Sequence, residues 1–365
     1  MKRLVLCTAL GLIPTALGNW HQARGKSIEY TSEPGYFLQD DNATDPSGFD
    51  YASNNFGLID RDYLTDEDFD PRGTKSQWEH FNRWVRHLNA RARLEGGSSQ
   101  YKVLFMGRHG NGWHNAAESY YGTPAWNCYW AEQTGNGTAT WSDPLLTPDG
   151  RAEARKANAY YRDRHATQNM PHFESYYSSP LTRCTTTANL TFGDLDLPVE
   201  HPFIPTVKEG FREGMTVHTC NRRSDRSRIH ELFPWYRFEL GFTEEDVLWS
   251  SDDSETDAAE LVRAKVALDD VFRADHATWV SITAHEGIIS RLLRALNHRP
   301  FRLGTGQIIP VLVRADVVDL QPKPTFVAHE PYSTCDSPPI ESIEGQGCVC
   351  TTPTASPGPT PTAKP

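Results

Sequence analysis

The sequence predicts an α/β fold: a three-layer α/β/α sandwich with a mostly parallel central sheet. Short strand-forming runs that end in polar loops recur at residues 101–107, 175–178, 278–284 and 308–313. Between them lie stretches with apolar residues at three- and four-residue spacing, long enough to be crossover helices. Strands alternating with helices at these separations imply right-handed βαβ crossovers and a sheet covered on both faces.

With 365 residues, 38% of them hydrophobic and 23% charged, the chain can build a large core without metal or disulfide staples. A formal net charge of −11 argues against nucleic acid as the main partner and against an anionic membrane surface. Residues 1–18 read as a secretory signal peptide. Lys2 and Arg3 precede an apolar stretch interrupted by Pro14, and Ala16 and Gly18 have cleavage-site spacing. No other apolar run approaches the length of a membrane span. Cys128, Cys184, Cys220, Cys335, Cys348 and Cys350 then remain, an even set that an oxidising compartment would pair as disulfides. Sequons at Asn42, Asn136 and Asn189 fit an extracellular glycoprotein.

In chain order, residues 19–75 lack periodicity and read as an irregular segment draped over the domain, which spans 76–322. Ser76 can cap a helix carrying Trp78, Phe81, Val85 and Leu88 on one face and ending near Gly96. The strand at 101–107 empties into Arg108-His109-Gly110. The aromatic, Gly-rich stretch from 116 to 143 reads as a long loop above the strand ends. Thr147 caps an Ala-rich helix with Pro148 at its first position. A short strand at 175–178 runs into Ser179-Pro180-Leu181-Thr182-Arg183 and a helix to about residue 192. Residues 209–223 have no clean period and read as loop or turns. A helix over 258–272 precedes the strand 278–284, which ends at His285; a helix over 288–296 and a strand at 308–313 complete the sheet. Residues 323–365 read as a Pro/Thr-rich disordered tail.

In open α/β sheets ligands bind past the carboxyl ends of the strands, where Arg108, His109, Arg183 and His285 fall. Two arginines and two imidazoles converging there make a donor-rich pocket suited to a phosphoryl group. One histidine can serve as nucleophile and a carboxyl group can supply the proton. A zinc site from His109, His114 and His285 is the metal alternative, but the His-x4-His spacing misses the one-turn geometry of helical zinc motifs. No metal or cofactor is therefore expected. His114 reads as structural support, whereas His218, Arg222 and Arg223 fit either a second anion clamp or a solvated loop.

At these residues the chain resembles the histidine phosphatase superfamily, in its phosphoglycerate mutase-like branch. The first motif is carried by Arg108, His109, Gly110 and Asn115, and an LTxxG element by Leu146, Thr147 and Gly150. A second motif, S-P-L-x-R-x-x-x-T-A, is carried by Ser179, Pro180, Leu181, Arg183, Thr187 and Ala188; His285 and Gly287 give the last. The resemblance implies His109 as the phosphorylated nucleophile, Arg108 and Arg183 as the phosphate clamp, His285 as a further phosphate ligand and Asn115 as an auxiliary donor. It places the proton donor on Glu213, with Glu209 as the alternative. The implied activity is hydrolysis of a small phosphate monoester by a secreted, metal-independent enzyme. Phosphoglycerate mutase-type transfer and a non-catalytic glycoprotein retaining the fold are the alternatives. Asn111, Asn221 and Ser254 depart from the branch's usual residues, which leaves the substrate open.

Overall fold

Ser76 starts the first long helix in the way its sequence predicts. Its side chain accepts from Glu79 N–H at 3.2 Å and its own N–H donates to the Glu79 carboxylate at 3.0 Å, so two otherwise unpaired donors are satisfied at once. The computed structural model describes residues 25–320, 325–339 and 348–350. The expected signal peptide at 1–18 and the tract 351–365 lie outside the described residues.

Strands β1 (Lys26–Ser32), β8 (Ile308–Asp319), β2 (Ser99–Arg108), β7 (Trp279–Ala284), β3 (Ser175–Ser178), β4 (Thr206–Val207) and β5 (Arg237–Phe238) form one sheet in that spatial order. From β2 to β5 every pairing is parallel, whereas β8 and β1 add two antiparallel strands at the other side. A separate antiparallel pair joins β6 (Asp253–Glu255) to β9 (His329–Pro331). The helices are α1 (Asp66–Phe69), α2 (Gln77–Leu94), α3 (Trp113–Tyr121), α4 (Thr123–Cys128), α5 (Pro148–Gln168), α6 (Thr182–Phe192), α7 (Arg226–Leu232), α8 (Asp257–Ala274) and α9 (Glu286–Ala295).

The three layers follow from strand alternation. Leu104 and Met106 of β2 pack with Leu268 and Phe272 of α8 and with Ile289 and Leu292 of α9. Val103 and Phe105, pointing the other way, pack with Trp78 and Phe81 of α2 and with Ala157 and Tyr161 of α5. Both faces are buried, as the continuous apolar run predicts. No helix among the described residues is long and apolar enough to cross a membrane.

Four expectations need correction. The segment 19–75 is not merely draped: β1 pairs along its whole length with β8, and Phe37, Tyr51, Phe56 and Tyr63 enter the core under α2 and α5. Burying rings of this size stabilises the fold by about 2 kcal/mol each, which fastens an arm with little regular structure. The stretch 116–143 is partly helical, containing α4 and most of α3, because Asn115 caps the first turn by accepting from Gly112 N–H at 3.0 Å. The tail expected from 323 onward is tied down at its start. Residues 329–331 pair with β6, and Cys128–Cys348 and Cys335–Cys350 are disulfides. Cys184 and Cys220 are buried free thiols, so only four of the six cysteines pair.

The strand-end loop is pressed onto the start of α5. Thr147 N–H and Oγ1 both donate to Asn111 O, and a methyl group on Gly150 would lie 2.0 Å from that oxygen. Gly150→Ala is therefore expected to destabilise the protein by about 1–3 kcal/mol, measured by denaturant unfolding against wild type. The Cys128–Cys348 bond spans 220 residues, a crosslink that strongly restricts the unfolded chain. Cys128→Ser is expected to lower stability by about 2–5 kcal/mol, and a thermal melt unmoved by this change would show that the clasp bears no load.

Candidate active site

The register of the parallel strands places Arg108 opposite Ala284, so Arg108-His109 and His285 leave the sheet side by side at its carboxyl edge. His109 N–H donates to Ala284 O at 3.0 Å, and the His109 and His285 rings lie 5.0 Å apart. Neighbouring β3 delivers Ser179 and, one helical turn on, Arg183. Segments distant in sequence thus meet because three adjacent parallel strands end together.

His109 is 1% exposed, and its hydrogen bonds fix its tautomer. Its Nδ1 lies 2.7 Å from Gly110 O, a contact that requires a proton on Nδ1. Arg183 Nε–H donates to Nε2 at 3.2 Å, which requires a lone pair there. Burial, then the charges of Arg183 and Arg108, hold the His109 pKa well below its ordinary range. Nε2 is consequently an unprotonated nitrogen facing a guanidinium. His285 is likewise kept neutral by burial and by Arg183, and its Nε2 lies 2.8 Å from Ser179 Oγ and 3.3 Å from Cys184 Sγ.

Arg183 is 1% exposed and also donates to Cys220 O at 2.6 Å and Asn221 Oδ1 at 3.3 Å. Arg108 is half-buried, with Nη1 donating to Leu303 O at 2.7 Å and Nε buried without a partner. Among the described residues neither arginine has a carboxylate within ion-pair distance. Both cations are thus held by neutral acceptors, which leaves their charge to bind an anion. Gly110 anchors the loop between them. Its N–H donates to Thr187 Oγ1 at 3.0 Å, and a methyl group in its place would lie 2.2 Å from Gly150 O. The LTxxG element and the TA of the second motif therefore build the floor of the loop.

The two carboxyl candidates separate cleanly. Glu209 is engaged by Arg223 Nε at 2.7 Å and Arg212 Nη1 at 3.3 Å. Glu213 instead reaches the first turn of α9, beside His285, accepting from Ile288 N–H at 3.2 Å and Gly287 N–H at 3.4 Å. Arg263 holds the Glu213 backbone by donating to the carbonyls of Arg212 at 2.8 Å and Glu213 at 3.2 Å. Asn115 is half-buried at the start of α3, immediately after His114, and its Oδ1 is committed to the Gly112 cap. His114 is buried 5.3 Å from the His109 ring, and burial and Arg183 hold it neutral. Of the loop groups that fitted a second anion clamp, Arg223 is spent internally on Glu209 and on the carbonyls of Thr243 and Glu245. Arg222 is exposed over the Trp249 ring, and His218 packs between Trp126 and Tyr332.

Sequence reasoning read Cys184 only as a disulfide candidate, although its thiol touches His285, and gave no role to Glu260, which is 6% exposed behind Glu213. Neither residue carries a local signal, since a cysteine and a glutamate inside helices read as ordinary positions.

The histidine phosphatase superfamily (branch 1) profile matches residues 129–308. This stretch contains Arg183, Glu213 and His285 but begins after His109, which the sheet brings into contact with Arg183. The chain is 48% identical over 315 residues to a probable phosphoglycerate mutase of Arthroderma benhamiae, covering 86% of this chain and 91% of that one. It is 35% identical over 286 residues to phosphomutase-like protein 3 of Candida albicans, covering 78% and 80%. A probable phosphoglycerate mutase of Saccharomyces cerevisiae is 32% identical over 237 residues, covering 60% of this chain and 80% of that protein. With a relative of this identity matched over nearly its whole length, and the motif residues assembled at one sheet edge, the chain belongs to the histidine phosphatase superfamily, in its phosphoglycerate mutase-like branch.

Proposed function

We propose that the protein is a secreted, metal-independent phosphomonoesterase that works through a phosphohistidine at His109 Nε2. The observation that carries this reading is the fixed tautomer of His109: Nδ1 against Gly110 O, Nε2 facing Arg183 Nε. In the first half-reaction Nε2 attacks phosphorus, and Arg108, Arg183 and neutral His285 donate to the equatorial oxygens. The bond to the leaving oxygen breaks as Glu213 gives that oxygen a proton. In the second half-reaction water loses its proton to the Glu213 carboxylate and attacks the phosphohistidine. Nε2 is released as a lone pair and phosphate leaves. A neutral imidazole held by a backbone carbonyl needs no deprotonation before attack, which the depressed pKa of His109 secures across the physiological range.

Secretion is supported by the charged and apolar pattern of residues 1–18 and by two disulfides fastening a surface strap, a kind of crosslink that lasts in oxidising compartments. Sequon residues Asn42 and Asn136 are exposed, whereas Asn189 is half-buried on α6. The second reading, transfer between positions of a phosphoglycerate, is favoured by the names of the relatives in Arthroderma benhamiae and Saccharomyces cerevisiae, each a probable phosphoglycerate mutase. The two readings separate in one experiment. Phosphate release from an aryl phosphate, resistant to chelator, is expected from wild type, together with acid-labile labelling of His109. His109→Ala is expected to lose turnover by at least about a thousandfold. Interconversion of 2- and 3-phosphoglycerate without release of phosphate from any monoester would reject the hydrolase.

The buried imidazoles also set a pH dependence. In the unfolded chain each histidine protonates near about 6.5, whereas in the fold His109, His114 and His285 stay neutral to lower pH. Below that value the unfolded state binds more protons, so stability falls as the pH falls. The slope is up to about 1.4 kcal/mol per pH unit for each histidine. Urea unfolding between pH 7.5 and 5 is expected to show this loss, and His109→Gln to reduce the slope by about one proton.

A further inference from the structure

Among the described residues, Glu213 is held by backbone donors alone. Its carboxylate accepts only backbone N–H groups among its hydrogen bonds: Gly214 and Ile288 at 3.2 Å and Gly287 at 3.4 Å. Backbone amides are donors only, so none of these partners can supply Glu213 with a proton.

A second carboxyl group is buried beside it. Glu260 projects from α8 with 6% exposure. Its Oε2 accepts from Arg291 Nε at 3.0 Å, while its Oε1 is buried without a hydrogen bond. Arg263 Nη2 lies 3.9 Å from that oxygen and is otherwise engaged with Glu255 at 2.6 Å and Glu213 O at 3.2 Å. The two carboxyl groups converge on Gly287. A methyl group built there would lie 2.3 Å from Glu213 Oε1 and 3.4 Å from Glu260 Oε1. From the other side, a methyl group on Gly214 would lie 3.6 Å from the same Glu260 oxygen.

We propose that Glu260 is a positioning residue for proton transfer, its carboxyl group keeping one proton on the Glu213–Glu260 pair so that Glu213 can deliver it to the leaving oxygen. This rests on the reading of Glu213 as proton donor. Two carboxyl groups close together in a buried site do not ionise independently, and the proton lost last belongs to the pair. Burial, reinforced by the Glu213 charge, pushes Glu260 up to about 7. Arg291 from α9 and Arg263 from α8 act in the opposite sense, Glu255 adds to the upward push, and Asp257 draws off part of the Arg291 charge. Arg108 from β2 and the thiols of Cys184 and Cys220 face Glu213. In the first half-reaction the proton leaves on the alcohol; in the second, hydrolytic water returns one proton to Glu213, restoring the singly protonated pair.

The test is the pH profile of kcat/KM for 4-nitrophenyl phosphate and phenyl phosphate, whose leaving groups differ in their need for a proton. Glu260→Gln keeps the acceptor for Arg291 but removes the titrating neighbour. It is expected to move the alkaline limb down by on the order of one pH unit and to slow phenyl phosphate roughly tenfold more than the nitrophenyl ester at pH 7. Arg291→Gln, which removes a cation from the pair, is expected to move the limb the opposite way. A structural role for Glu260 predicts neither the limb shift nor the leaving-group effect. Unchanged limbs and ratios in both variants, with Glu213→Gln losing phenyl phosphate turnover, would overturn the proposal alone. Full retention of phenyl phosphate turnover by Glu213→Gln would instead remove Glu213 as proton donor, and the proposal with it.

Discussion

The hydrogen bond from Arg183 Nε to His109 Nε2, at 3.2 Å, is the interaction on which the site depends. A guanidinium carries only donors, so this contact exists only if Nε2 keeps its lone pair, and Gly110 O on the far side of the ring keeps the proton on Nδ1. Fixing both ends of the imidazole defines the nucleophilic atom. The cost is a buried cation, which three neutral acceptors offset: His109 Nε2, Cys220 O and Asn221 Oδ1. A carboxylate there would bind Arg183 more strongly, but it would raise the His109 pKa and repel a phosphate ester. Neutral acceptors leave the positive charge uncompensated, and the same charge suppresses protonation of all three nearby imidazoles.

That arrangement explains why the surrounding backbone is packed so closely. Arg183 must approach from β3 while His109 approaches from β2, with β7 between them delivering His285. The Gly110 loop therefore has little freedom, pinned to Thr187 on α6 and to Gly150 on α5. Asn221 takes part in the same bracing. Where the branch usually has aspartate, this side chain accepts from Arg183 through Oδ1 and donates through Nδ2 to Gly214 O at 2.9 Å. An aspartate could not make the second bond, and it would place a negative charge against the phosphate clamp. The substitution thus joins the arginine to the loop that carries Glu213.

Much of this was legible in the sequence, for identifiable reasons. Strands β2, β7 and β8 are apolar runs, and α2 and α5 carry the predicted caps at Ser76 and Thr147, so local signals sufficed. The motif residues could be grouped because each follows a strand. The antiparallel course of β8, the strand β1 and the two-residue strands β4 and β5 were not legible, since pairing direction is settled by distant partners and two residues show no period. Cysteine pairing was hidden for a similar reason: Cys184 and Cys220 are held apart from the other four by burial near Arg183, a matter of tertiary placement that spacing does not record. The choice between Glu209 and Glu213 was also tertiary. Two neighbouring arginines claim Glu209, leaving Glu213 to reach α9.

Asn111, Asn115 and Asn221 present neutral amide oxygens to Thr147 Oγ1, Gly112 N–H and Arg183 respectively. These three positions place no negative charge beside the phosphate clamp, whereas the carboxyl groups of Glu213 and Glu260 meet at Gly287. A chain with a net charge of −11 keeps a cationic crevice by this segregation. Charge is sorted along the reaction coordinate as well: positive where the phosphoryl oxygens gather, protonatable where the leaving oxygen departs. Such sorting suits a monoester, whose charge lies on the transferred group and whose departing oxygen needs a proton. The loop from 209 to 223 connects the two regions, since Cys220 and Asn221 hold the arginine at one end while Glu213 stands at the other. Movement of that loop would disturb clamp and proton donor together, which accounts for its anchoring by Arg212 to Asp246 and by Arg263 to the carbonyls of Arg212 and Glu213.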